Sequence, residues 1–162
     1  MRLNHFAIAA MIALTACSPG HADSSAASAA PAEQRRHPIS NLPVIPVTVT
    51  AAKGAHTIEA ELAATFEEQQ KGLMFRTYLD ADEGMLFPRT PPDQARFWMH
   101  NTVIPLDLVF IGRDRRVLNI AANAVPYDET PIPAAGIASA VLELRGGRAA
   151  ELGIAPGDKV DW

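Results

Sequence analysis

Asp107 is the residue of this sequence best placed to do chemistry. It is the single acid in Leu106-Asp107-Leu108-Val109-Phe110-Ile111, a run whose two alternating faces are otherwise apolar. A buried carboxylate left without donors costs on the order of 1–3 kcal/mol or more. Apolar surroundings also raise a carboxyl pKa and suit the group to general-base work. Upstream, Trp98-Met99-His100-Asn101-Thr102 leads into the Ile104-Pro105 turn, and Arg76 offers a planar fork that fits a carboxylate, whether that of Asp107, of Glu143 or of a ligand. Arg76, His100, Asn101, Thr102 and Asp107 are therefore the residues expected around any pocket, with Trp98 as an apolar wall. As an enzyme the set reads as a hydrolase or transferase, Asp107 acting as base while Arg76 or Asn101 holds an oxyanion. As a structural clasp, Asp107 accepts hydrogen bonds from the Asn101-Thr102 turn or pairs with Arg76 or Arg96, and it is the one acid of the interior. Buried carboxylates are more often satisfied than reactive, which favours the clasp.

Met74, Met85 and Met99 suggest a different chemistry, because thioethers are soft ligands that suit Cu(I). Each stands beside Leu, Phe or Trp, the setting of a core filler. Met99 and His100 are also adjacent, and neighbours in an extended strand face opposite ways. Core packing is the expected role, and neither a metal nor another cofactor is anticipated. Covalent catalysis is poorly supplied: from residue 44 onward there is one serine, Ser139, no cysteine, and only His56 and His100 among histidines. No zinc-type ligand spacing and no Gly-rich phosphate loop occurs in the sequence. A binding or accessory module is thus expected in preference to an enzyme.

The amino end gives an address. Met1-Arg2-Leu3-Asn4-His5 is a short basic start, Phe6 to Leu14 is apolar but too short to span a bilayer, and Leu14-Thr15-Ala16-Cys17 resembles a lipoprotein lipobox. Cys17 is the only cysteine of the chain, so acylation there leaves no thiol for a disulfide. Two or three acyl chains make such an anchor effectively permanent. Ser18 after the cysteine points to the periplasmic face of the outer membrane. The expected organisation is a lipoprotein signal over 1–16, a flexible Ala/Ser/Pro-rich tether over 17–43, and one domain over 44–162. The expected partners are the membrane, through Cys17, and a small molecule or another envelope protein. The net charge of −4 offers no basic stripe for nucleic acid.

The elements that must position these side chains are short. Val47 to Thr50 and His56 to Leu62 alternate as strands around Lys53-Gly54. Thr65-Phe66-Glu67-Glu68 has the form of a capping box opening a helix that Gly72 ends. Leu106 to Ile111 and Val117 to Val125 read as a hairpin about Gly112 to Arg115, the first strand covered on both faces. Ala140 to Leu144 gives another strand, Gly147 to Leu152 a second short helix closed by Gly153, and a last strand ends at Trp162. The fold class is therefore α+β and β-rich: a compact, barrel-like, closed or nearly closed and mostly antiparallel sheet with two short helices.

Taken as a series, Gly72-Leu73-Met74-Phe75-Arg76, Gly84-Met85-Leu86-Phe87, Phe97 to Thr102, Ile104-Pro105-Leu106-Asp107 and Val141-Leu142-Glu143-Leu144 with Gly146-Gly147 resemble the motifs of the bacterial and archaeal family called domain of unknown function 192. The resemblance runs from about Val47 to the carboxyl end. It implies a small β-rich fold with two short helices, often exported, and no assigned activity. The sequence departs from the family at the hairpin tip, Gly112-Arg113-Asp114-Arg115, and at His100, where Lys or Arg is commoner.

Overall fold

A computed structural model describes residues 34–162 of the chain. Cys17, the signal segment and most of the expected tether lie outside the described residues. The elements in order are β1 (Val44–Ala51), β2 (Gly54–Leu62), α1 (Phe66–Lys71), β3 (Glu83–Asp93), β4 (Arg96–Phe97), β5 (Leu106–Gly112), β6 (Val117–Ala124), β7 (Ile132–Pro133), β8 (Ala138–Arg145), α2 (Arg148–Leu152) and β9 (Lys159–Asp161). Seven strands form one sheet in the order β6-β5-β8-β3-β2-β1-β9, and β4 with β7 makes a separate two-stranded ladder. Pairing is antiparallel throughout except between β2 and β3, which run parallel.

The expectation of a closed or nearly closed barrel-like sheet gives way to a curled, open half-barrel, while its β-rich, mostly antiparallel character and two short helices stand. Its edges β6 and β9 meet at one corner only, through the Arg116–Lys159 bridge and the bonds from Val117 N to Asp158 O (2.9 Å) and Val160 N to Arg115 O (2.8 Å). With three residues, β9 is too short to carry the ladder along β6. The curl explains why β5 is buried on both faces although it stands next to an edge. Inside the curl all seven strands contribute to one cluster, including Val47, Ile58, Leu86, Val109, Val117, Leu142 and Val160, with Leu152 of α2 against it. On the outer face Met85, Phe87, Leu108, Phe110 and Val141 form a second cluster beneath Leu73, Leu79, Phe97 and Met99. Phe97 stands edge-on to Phe87 and to Phe110, with ring centroids 5.1 and 6.1 Å apart. Offset edge contacts of this kind are the favoured aromatic geometry.

The compact unit runs Glu33–Trp162, so it takes in the last residues of the segment expected as tether. Val44 N donates to Arg35 O and His37 N to Leu42 O (2.8 and 2.9 Å), and Arg36 bridges Pro43. Residues 35–42 are thereby strapped to the start of β1.

Asp107 is fully buried, and its partners are not those expected from the sequence. Neither the Asn101-Thr102 turn nor Arg76 nor Arg96 reaches it. Oδ1 accepts from the amides of Asn123 (2.8 Å) and Gly147 (3.0 Å), and Oδ2 from Ala149 (2.8 Å). The helix α2 has five residues and a Gly N-cap with φ of 84°, and it lacks a side-chain cap bond of its own. Asp107 supplies that cap from β5, joining β5, β6 and α2 by charge-assisted bonds worth about 1.5–3 kcal/mol each in such settings. Asp107→Asn turns one amide group toward a backbone N–H that must then go unpaired. Urea unfolding should show a loss of about 2–4 kcal/mol with the slope unchanged, whereas a loss below about 1 kcal/mol would show that the clasp is not needed.

Candidate functional site

A row of side chains crosses the outer face of the sheet. Cα pairing puts Glu61 of β2 beside Met85 of β3, Met85 beside Glu143 of β8, and Glu143 beside Leu108 of β5. Two carboxylates thus lie on one face with a methionine between them, and the interior holds three acids, Glu61, Asp107 and Glu143, where one was expected. Glu61 is neutralised. Arg76 Nη2 donates to its two oxygens at 2.7 and 2.8 Å, Ser40 Oγ donates to Oε2, and His37 Nδ1 lies 3.3 Å from Arg76. Such a pair is favourable only when its remaining valences are filled, as they are here by the strap.

Glu143 has no such partner. It is 4% exposed, has no hydrogen-bond donor among the described residues, and burial pushes its carboxyl up to about 8. Desolvation without a compensating charge is the cause. The group lies in the wall of a groove of about 650 Å³, within the usual size range of ligand sites. Above it, α1 forms one side. Thr65 and Glu68 complete the expected capping box, and the Thr65 amide holds the Glu68 carboxyl below its ordinary range. Gln69 Nε2 then ties the helix to Pro88 O (2.9 Å), and Gln69 Oε1 accepts from Arg89 (3.0 Å). Arg89 also forks onto Asp93 (2.9 and 2.5 Å), holding that carboxyl low. The other side is β4 and the turn beyond it, where the rings of Trp98 and His100 stack at 5.0 Å and His100 Nδ1 meets Glu129.

Of the residues expected around a pocket, Trp98, His100 and Thr102 line this groove, together with Met74. Arg76 is committed to Glu61, and Asp107 is sealed on the inner face. Asn101 takes a left-handed φ of 52° at the tip of the turn; its carbonyl accepts from Phe75 N (2.9 Å) and its Nδ2 reaches Met74 Sδ (3.9 Å). Met85 and Met99 are core residues. Among the described residues no group of three or more His, Cys, Asp or Glu is gathered as a metal would require. Glu143 was named from the sequence only as a possible partner of Arg76, which pairs with Glu61 instead, and not as a site residue in its own right. Its signal was present, since it stands between Leu142 and Leu144 in a strand apolar on both faces, as Asp107 does in β5.

The profile of the family described as DUF192, an uncharacterized ACR, matches residues 47–162. This chain belongs to the DUF192 family. No curated protein matches it. Among solved structures, a protein of unknown function from Novosphingobium aromaticivorans DSM 12444 is 65% identical with a TM-score of 0.79, over 81% of this chain and 94% of that one. A Sinorhizobium meliloti 1021 protein, proposed to be a transcription regulator, is 36% identical with a TM-score of 0.71, over 74% of this chain and 94% of that one.

The raised carboxyl of this DUF192 domain makes its stability fall with pH. Glu143 titrates near 8 when folded and near 4.5 when unfolded. Its contribution is complete below the unfolded value and is lost as pH rises through 8, because unfolding in that window releases a proton. Glu143→Gln removes the titration. Thermal melts should therefore show a smaller drop between about pH 6 and about pH 9 in the variant, which at the upper end is the more stable by a few kcal/mol, roughly. Parallel pH profiles for the two proteins would mean that Glu143 is paired in solution.

Proposed function

We propose that this DUF192 protein is a non-catalytic binding module, held by an acylated Cys17 at the periplasmic face of the outer membrane, with its ligand seat in the groove over Glu143. The observation that carries the reading is the carboxyl itself. A carboxyl with no partner from the protein, almost wholly buried but opening on a groove, is a group that a bound molecule can pair with. Trp98, half-exposed and stacked on His100, adds an apolar face for the same molecule.

Three observations weigh against the hydrolase or transferase reading. Asp107 is saturated by backbone amides. Arg76 is spent on Glu61. The hydroxyl of Ser139 donates to Gly112 O at 2.6 Å. A Cu(I) site draws no support either, since Met85 and Met99 are packed in the core and only Met74 borders the groove. The lipobox-like Leu14-Thr15-Ala16-Cys17 supports the anchor, and among the described residues no helix is long and apolar enough to cross a membrane.

Cys17→Ser should move the protein from the membrane pellet to the soluble envelope fraction and remove the acyl mass from the mature amino end. Retention in the pellet without lipid would exclude this form of anchoring. For the groove, native mass spectrometry of protein extracted from the envelope in mild detergent should show a small non-covalent adduct. The adduct should be absent from a Trp98→Ala, Glu143→Gln double variant that still melts cooperatively. An adduct of equal occupancy in both proteins would place the ligand elsewhere.

A further inference from the structure

The charges left over in the groove define the chemistry of its occupant. The charged groups that face it are Lys71 at the end of α1, Arg89 and Asp93 on β3, Arg96 on β4, His100 in the turn and Glu143 on β8, where Met85 and Leu108 flank the acid on the sheet. Arg89 and Asp93 neutralise one another, and His100 is engaged by Glu129. The side chains of Lys71 and Arg96 have no ion-pair or hydrogen-bond partner among the described residues, and both residues are exposed where they line the groove. What remains is one carboxyl in the wall, neutral until it gives up its proton, and the two positive side chains of Lys71 and Arg96. A purely cationic ligand meets Glu143 but must pass Lys71 and Arg96. A purely anionic ligand can take a single hydrogen bond from the neutral acid but forms no ion pair with it. A molecule with an ammonium at one end and a carboxylate at the other satisfies all three. At about 650 Å³ the groove also has room for more than a single amino acid, and Phe66, Phe97 and Trp98 give it apolar walls for side chains.

We propose that the groove binds short peptides with free termini, the terminal ammonium seated on Glu143 and the carboxylate drawn to Lys71 and Arg96. This assignment rests on the groove being the ligand seat and names its ligand class. Burial keeps Glu143 protonated at neutral pH. Forming the ion pair therefore sheds one proton below about pH 8, while above it the peptide's own α-amino group, with a pKa of about 8, must regain one. Affinity should peak near pH 8 and fall on each side, approaching tenfold per pH unit.

The test uses the full chain in detergent with Trp162→Phe, since the chain has only two tryptophans and Trp162 is stacked beneath Arg115 away from the groove. Trp98 fluorescence then reports the groove alone. The probes are Ala-Phe-Ala, its N-acetyl form, its C-terminal amide, and spermidine. The free tripeptide should saturate the signal, N-acetylation should weaken binding at least tenfold, and amidation should weaken it several-fold. In Glu143→Gln the free peptide should bind as weakly as the acetylated one, and acetylation should cost nothing further. Equal binding of free and acetylated peptide would overturn the assignment. Saturable binding of spermidine or of the acetylated peptide alone would overturn it while leaving the groove as a ligand seat. Silence of every probe, together with no adduct by native mass spectrometry, would remove both readings.

Discussion

Asp107 is the contact on which the architecture turns. The sheet curls far enough to bridge its edges at one corner only, and the helix α2 packs on β5 and β8. That helix is too short to be stable alone. A carboxylate on β5 gathers the amides of Asn123, Gly147 and Ala149 and so fixes strand, neighbouring strand and helix start at one point. The inner cluster, which draws on all seven strands, also takes in Ala149 and Leu152 of that helix.

The outer face handles the same electrostatic problem in two further ways. Glu61 is matched by Arg76, and the pair is roofed by His37 and Ser40 of the strap. Glu143, one Met85 away on the same row, receives no cation from the protein. The difference lies in what covers each position. The segment after α1 carries Arg76 over β2, whereas the space over β8 is left to the groove beneath α1 and the Trp98 turn. An acid kept without a partner inside a folded domain costs stability, and retaining it is intelligible where the partner comes from outside.

Much of this was legible in the residues. The capping box at Thr65 and Glu68, the glycine stops after both helices, the β5–β6 hairpin and the doubly buried β5 follow from local pattern, and the structure has them. The buried carboxylate at Asp107 was legible as well, but its partners were not, because backbone amides at positions 123, 147 and 149 leave no trace in side-chain types. Glu61 was hidden by period. His56-Thr57-Ile58-Glu59-Ala60-Glu61 alternates as a strand with one wet face, and only the strap and the Leu73–Arg76 turn, arriving from elsewhere in the chain, turn the end of that face dry. Sheet closure was overestimated for a related reason: local alternation specifies strands, while closure depends on the length of the last one.

The strap over residues 35–42 has a mechanical consequence. Under the anchor proposed at Cys17, load from the amino end would reach this segment before it reaches β1. Residues 35–42 are fixed by backbone bonds to β1 and by Ser40 and His37 to the Glu61–Arg76 pair, so tension is shared across β1, β2 and the segment after α1 instead of peeling one edge strand from the sheet. For a chain anchored as proposed, the attachment would act as a strain relief, like the collar where a cable enters its plug.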